Sequence, residues 1–167
     1  METWDAIRAR RNVRAYDHRP IRAADLDRVL EAGRRAPSSR NRQRWDFVVC
    51  TDRDQLRQLA EVWRGAGHVA DSAATVGLVT DASGDWSVAY DLGQATMSMM
   101  LAAADLGIGS GHAAVHDQAL AHRLLGLPDD RQLAWLIAFG YPAGRPLRPV
   151  EQPDRRPFDD VVHRGGW

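Results

Sequence analysis

The stretch Val88–Leu106, VAYDLGQATMSMMLAAADL, is the longest apolar run of the chain, and its reading decides the fold. Asp85-Trp86-Ser87 opens it and Gly107 closes it, the start and stop signals of one long helix. Asp91, Gln94 and Asp105 interrupt the run. A membrane span does not carry charges at such positions without a partner, so a buried helix is expected rather than a span. The opening residues, METWDAIRARR, place charges where a secretory signal needs apolar side chains. The expectation is a cytoplasmic protein with no membrane partner.

Toward the C-terminus, Gly109 to Val115 form a glycine-led strand or loop. Asp117 caps an amphipathic helix that ends near Gly126-Leu127-Pro128, and Leu133 to Phe139 form a strand closed by Gly140-Tyr141-Pro142. Toward the N-terminus, Thr75 to Thr80 form a buried strand. Before it, a helix runs from about Thr51 to Trp63 and breaks at Gly65-Ala66-Gly67. Trp45 to Cys50 form a short apolar strand, preceded by the polar loop Pro37-Ser38-Ser39-Arg40-Asn41-Arg42-Gln43. Ala24 to Ala36 are helical, with Leu26, Val29, Leu30 and Gly33 on one face and Pro37 as the stop. Trp4 to Arg10 form a first short helix with Thr3 as its N-cap. The order places helices on either side of a small mixed sheet of about four strands.

At 167 residues the chain makes one domain, residues 1–142, with a Pro- and Arg-rich extension, 143–167. That extension has no hydrophobic face of its own and is expected to wrap a neighbour, covering an open sheet edge. All 22 basic residues are arginine, which excludes a lysine Schiff base and the lysine of a P-loop. Residues 1–44 hold 12 Arg against 6 Asp and Glu, a net +6 that favours an anionic partner or a solvated face. Nucleic acid is not expected, because the arginines lie among helix-forming apolar residues without a stacking aromatic array. Cys50, the only cysteine, beside Phe47-Val48-Val49, is expected in the core, and no internal disulfide is possible.

Three polar clusters carry chemistry: Arg10-Arg11-Asn12-Val13-Arg14, the loop 37–43, and Arg155-Arg156-Pro157. Guanidinium groups grip phosphate through paired donors, and the Ser/Asn/Gln loop suits a sugar-like or heterocyclic group. Gly107-Ile108-Gly109-Ser110-Gly111 echoes a dinucleotide fingerprint but follows a helix instead of a strand, which argues against a Rossmann fold. His112 and His116 are spaced like metal ligands, but the segment between them is not helical and no metal is expected.

Arg10-Arg11-Asn12-Val13-Arg14-Ala15-Tyr16 resembles the opening motif of the FMN-dependent nitroreductase family. Ala36-Pro37-Ser38-Ser39-Arg40-Asn41-Arg42-Gln43-Arg44-Trp45 is similar to its second motif. Asp91-Leu92-Gly93-Gln94-Ala95 with Ala104-Asp105-Leu106-Gly107-Ile108-Gly109-Ser110 resembles a third. Ala138-Phe139-Gly140-Tyr141-Pro142 and Arg155-Arg156-Pro157-Phe158-Asp159-Asp160-Val161-Val162-His163 resemble its ending. The five motifs follow the family's order over nearly the whole chain.

The resemblance implies an α+β fold: a three-layer α/β/α sandwich around a small mixed, mainly antiparallel sheet, with the C-terminal tail exchanged in a homodimer. It also implies FMN, reduced by NADH or NADPH, passing electrons to a nitroaromatic, quinone or similar small acceptor in a ping-pong sequence. By the same resemblance Arg10, Arg11 and Asn12 contact the FMN phosphate and ribityl chain, Arg14 faces the pyrimidine edge, and Arg155 and Arg156 complete the phosphate site. Pro37, Ser38, Ser39, Asn41 and Gln43 reach the flavin from the other subunit. Ser110 and Gly111 bring backbone N–H groups to the ring. No side chain is singled out as catalytic; Trp86 and His112 are candidates to line the pocket, with core packing an equal expectation for Trp86. Two other readings stay open: a non-catalytic flavin-binding or storage protein, and a specialised flavin chemistry. Three departures from the pattern stand out. Asn12 replaces a serine, Arg44 replaces the proline before Trp45 and so loosens the second motif, and residues 63–71 are too short for the lid helices of larger relatives.

Overall fold

The computed structural model describes residues 1–82 and 85–167. Helix α1 spans Thr3–Ala9, α2 spans Ala23–Arg34, β1 spans Asp46–Cys50 and α3 spans Arg53–Leu59. Strand β2 follows at Ala74–Asp81, then α4 at Trp86–Asp105, β3 at Gly109–Ala114, α5 at Gln118–Leu125 and β4 at Arg131–Gly140. The strands pair in the order β1-β2-β4-β3, and every pairing is antiparallel. The parallel element of the expected mixed sheet is a single bridge, Asn12 to Ser110.

From Leu136 to Phe139 the side chains of β4 alternate between two cores, as the period of a strand requires, and a bulge opposite Leu78 and Val79 brings Leu133 to the face of Leu136. Leu133, Leu136 and Ala138 face Leu56 and Leu59 of α3 and Ala121 of α5. Ile137 and Phe139 face Val29 of α2 and Leu92, Met99 and Met100 of α4. Helices therefore cover both faces of the sheet, and the architecture is the expected three-layer α/β/α sandwich. The buried positions of α4 (Val88, Asp91, Leu92, Ala95, Thr96, Met99, Met100, Ala103 and Ala104) follow the helical period. Cys50 is buried in the core, and burial pushes its thiol up to about 11, which makes it a filler side chain rather than a nucleophile.

Aspartate side chains cap the starts of α3, α4 and α5. Asp52 accepts from the N–H groups of Asp54 and Gln55, Asp85 from Ser87, and Asp117 from Leu120. Gly126 closes α5 at φ 62°, a left-handed conformation that suits glycine. Thr3 is not a cap: it is the first residue of α1, and Glu2 occupies the cap position without a side-chain hydrogen bond.

The sheet edge at β3 is covered by the chain's own N-terminal segment. Val13 N–H donates to Ser110 O at 2.8 Å, and the buried Tyr16 hydroxyl sits 2.7 Å from Val13 O and 3.2 Å from Ala138 O. The glycines of β3 and β4 make room for it. A Cβ at Gly109 would stand 2.7 Å from the Val13 side chain, one at Gly111 2.5 Å from Val13 O, and one at Gly140 2.7 Å from the Tyr16 ring. The extension from residue 143 lies beside this segment: Ala143 N–H donates to Ala15 O, Arg11 to Arg145 O, and Val150 N–H to Arg8 O. Beyond Val150 every residue is exposed, including Phe158, Val161 and Trp167.

Candidate functional site

Three groups of polar residues assemble around the N-terminal segment and the start of α4. The first is cationic. Arg10 and Arg11, at the end of α1, and Arg155, from the extension, line one cavity of about 500 Å³ together with Arg8 and Arg145. Among the described residues, Arg10, Arg11, Arg145 and Arg155 have no carboxylate within ion-pair distance, whereas Arg8 pairs with Asp5 and Glu151. Arg11 is held below its ordinary pKa by burial and by the neighbouring charge of Arg145. Unpaired guanidinium groups converging from both ends of the chain make a site for a phosphate-sized anion. Arg156 stands apart, donating to Asp160 O at 2.8 Å.

The second group is the loop 37–43. Pro37, Ser38 and Ser39 line a cavity of about 430 Å³ with Trp86, Tyr90, Asp91 and Gln94 of α4. Arg40, Asn41 and Gln43 have positive φ (53°, 56° and 50°), an uncommon conformation for residues other than glycine. Side-chain bonds hold the loop in that shape. Asp91 accepts Ser39 N–H, Ser38 Oγ accepts Gln43 N–H, and Gln43 Nε2 donates to Asn41 Oδ1 at 3.0 Å. Arg44 ties the end of the loop down: it pairs with Asp85 at 2.6 Å and donates to Ser87 Oγ, while its carbonyl accepts the Thr80 hydroxyl. The arginine that stands in place of proline thus anchors the second motif instead of loosening it. Trp86 is 80% exposed at the rim of this cavity, so the core role expected for it is not observed.

The third group surrounds Gly111. Ser110 and Gly111 are buried on β3, and the close neighbours of Gly111 are Val13 O, Tyr16 Oη and the His68 ring. His68 is 91% buried, and its Nε2 lacks a hydrogen-bond partner, an unusual state for a buried polar atom. Burial pushes the His68 pKa down and the charge of Arg14 adds to the effect, against backbone hydrogen bonding with Gly111 and Gly65 that pulls it up. Burial likewise lowers His112, with further contributions from Arg10, Arg14 and His68. The electrostatics therefore place Arg14, His68 and His112 in one neighbourhood, with both imidazoles biased to the neutral form. Sequence reasoning missed His68. A histidine in the Gly-rich segment 65–69 carries no spacing signal, and only the packing against Gly111 reveals it.

In one protomer the arginine cavity and the loop cavity share no residue. Asn12 bridges to Ser110 and so links the first group to the third.

The chain is similar to nitroreductases over most of its length. The nitroreductase family profile matches residues 7–81 and 62–141. A protein of Archaeoglobus fulgidus named as an NADH dehydrogenase/NAD(P)H nitroreductase is 29% identical over 99% of each chain. The crystal structure of a Parabacteroides distasonis protein of the same name superposes with a TM-score of 0.83 at 28% identity, covering 97% of this chain and 96% of that one. An FMN-dependent nitroreductase of Clostridium difficile superposes with a TM-score of 0.87 at 21% identity, over 97% and 98% of the two chains. The chain belongs to the nitroreductase family, and it is an oxidoreductase.

Proposed function

We propose that two copies of this chain bind FMN between them and use NADH or NADPH to reduce small electron-poor acceptors such as nitroaromatics or quinones. The observation that carries the proposal is the convergence of Arg10, Arg11 and Arg155, none of them ion-paired among the described residues, on a cavity whose arginines outnumber its two carboxylates, Glu151 and Asp154. Relatives named NAD(P)H nitroreductase and FMN-dependent nitroreductase support the choice of cofactor and donor.

The residues present fit the group. Arg10, Arg11 and Arg155 bind the phosphate, and Asn12 lies on the path from them to Ser110. Arg14 holds a permanent positive charge beside His68 and His112, near the Gly111 end of the site. Pro37, Ser38, Ser39, Asn41 and Gln43 of the second copy cover the remaining side, since in one protomer Pro37, Ser38 and Ser39 line a separate cavity. When bound, FMN supplies the two-electron transfer between nicotinamide and acceptor. The chain's own work is to bind, to orient and to keep a fixed cation at the ring. No side chain is needed as acid or base for the transfer itself.

The homodimer has a physical cause. Trp86, Tyr90 and Met97 share one face of α4, and they are 80%, 67% and 44% exposed. An apolar helix face beside a polar loop is a surface that a second protomer would cover. The end of the extension, residues 158–167, adds Phe158, Val161, Val162 and Trp167, all without a core of their own in the protomer, and wraps the partner.

A heterodimer tests the shared site. Arg10→Glu in one protomer and Ser38→Glu in the other leave one intact site only if the two residues come from different subunits. The expected result is one FMN per heterodimer and none in either variant homodimer. A heterodimer without flavin, or a monomer by light scattering that retains flavin, contradicts the proposal.

A further inference from the structure

The arginine cavity does not end at Arg155. A second cavity of about 350 Å³ adjoins it, lined by Arg11, Arg145, Pro146, Arg148, Pro149 and Val150. The two cavities share Arg11, Arg145 and Val150, so they are compartments of one groove between the end of α1 and the extension. The groove is built rather than incidental. The hydrogen bonds from Ala143 to Ala15, from Arg11 to Arg145 and from Val150 to Arg8 fasten the extension along its length, and Pro146 and Pro149 stiffen the backbone between the fastenings.

Charge sets the occupant. The second compartment contains three arginines and no acidic residue. Together the compartments hold six arginines against Glu151 and Asp154, an excess of four positive charges. Glu151 is already committed to Arg8, and among the described residues Arg148 has no carboxylate partner. A phosphate monoester carries about two negative charges near neutral pH, so one phosphate leaves half of this excess uncompensated. Guanidinium groups that face one another without counter-charge repel, and a second anion relieves the repulsion.

We propose that Arg11, Arg145 and Arg148 form a second phosphate subsite, continuous with the first, so that the groove takes two phosphate groups at once. The proposal rests on the reading of Arg10, Arg11 and Arg155 as the site of the FMN phosphate. Two sources supply a second phosphate next to the first: the diphosphate of a flavin dinucleotide, or the phosphates of the nicotinamide donor. The apolar lining from Pro146, Pro149 and Val150 suits a ligand that continues beyond its phosphates into a base or sugar.

Calorimetric titration of flavin-free protein with inorganic phosphate and with pyrophosphate tests the subsite directly. Arg148 lines only the second compartment and is exposed, so Arg148→Glu alters this subsite and leaves the fold and the first compartment in place. The expected result is a preference for pyrophosphate over phosphate of tenfold or more. Arg148→Glu should abolish that preference, Arg148→Lys should partly restore it, and phosphate affinity should change by less than twofold. Equal affinity for the two anions, or a preference that survives Arg148→Glu, overturns the proposal. Dissociation constants for FAD and FMN, and for NADP⁺ and NAD⁺ on FMN-loaded protein, identify the source. A selective loss of FAD binding in Arg148→Glu assigns a flavin dinucleotide, and a selective loss of NADP⁺ binding assigns the donor. If neither changes, the subsite has no nucleotide ligand and the proposal fails. Failure of the wild-type protein to bind FMN while the pyrophosphate preference persists refutes the flavin reading instead.

Discussion

The Asp91 carboxylate accepts the Ser39 N–H through both oxygens, at 3.1 and 3.0 Å, and it is 4% exposed. The charge that interrupts the apolar helix is thus the peg on which the 37–43 loop hangs. Gln94, one turn further on, donates to Pro37 O at 3.3 Å and holds the other end of the same turn. This explains why a core helix keeps two polar residues on one side.

Asp91→Ala leaves the Ser39 N–H without its acceptor and frees a loop with three residues at positive φ. The expected loss of stability is about 1.5–3 kcal/mol, the scale of a hydrogen bond to a charged group. FMN affinity should fall at the same time, because the loop no longer keeps its shape. Denaturant unfolding and flavin titration of the variant check both. Wild-type values in each would mean that the loop is held by other contacts.

Gly111→Ala tests the latch between the N-terminal segment and β3. The added methyl would lie 2.5 Å from the carbonyl oxygen of Val13, a backbone atom that cannot rotate away. A destabilisation of about 1–3 kcal/mol is expected from this overpacking. Gly67→Ala, where a Cβ meets nothing within 4 Å, serves as the control and should leave the unfolding midpoint nearly unchanged.

Much of this fold was legible in the sequence because its signals are local. Gly126 past the end of α5, aspartates at three helix starts and the apolar run of α4 each fix an element without reference to the rest. The buried β2 was equally plain, since a strand covered on both faces carries a nearly continuous apolar run, here Val76 to Val79. What escaped is long-range. The covering of β3 by residues 12–16 depends on three glycines that fit around Val13 and Tyr16, and no periodicity encodes such a fit. Arg44 looked like a defect in a motif because its partners, Asp85 and Ser87, lie 41 and 43 residues away. The arginine cluster was named residue by residue from resemblance. The structure brings Arg10, Arg11 and Arg155 into one cavity and turns Arg156 toward Asp160.

The buried histidine gives a pH dependence with a definite sign. Burial lowers the pKa of His68 below its ordinary 6.5, so the unfolded chain binds a proton there more readily than the folded one. Stability is therefore full above about pH 6.5 and declines as the pH falls from there through the lowered folded value. Thermal melts of the flavin-free protein between pH 8 and 5 should show a falling midpoint, and His68→Gln should flatten part of that slope. His112, lowered in the same direction, accounts for a further share. A slope identical in the variant would show that His68 does not titrate differently in the two states.

Arg14 is exposed in the protomer, and the pKa values of both histidines respond to its charge. Arg14→Ala should weaken FMN binding by about tenfold, or slow its reduction by a similar factor, the scale on which one charge-assisted hydrogen bond acts. Arg14→Lys should recover part of either effect. Unchanged binding together with an unchanged rate would place the ring of the cofactor elsewhere.

The most direct test of the account is the visible absorption spectrum of the purified protein, recorded before and after NADH or NADPH is added without oxygen. The account predicts a flavin spectrum, native or restored by added FMN, that bleaches on addition of the nicotinamide. A flavin that stays oxidised with both donors would remove the reductase assignment and favour a storage role. A colourless protein that takes up no FMN would contradict the account as a whole.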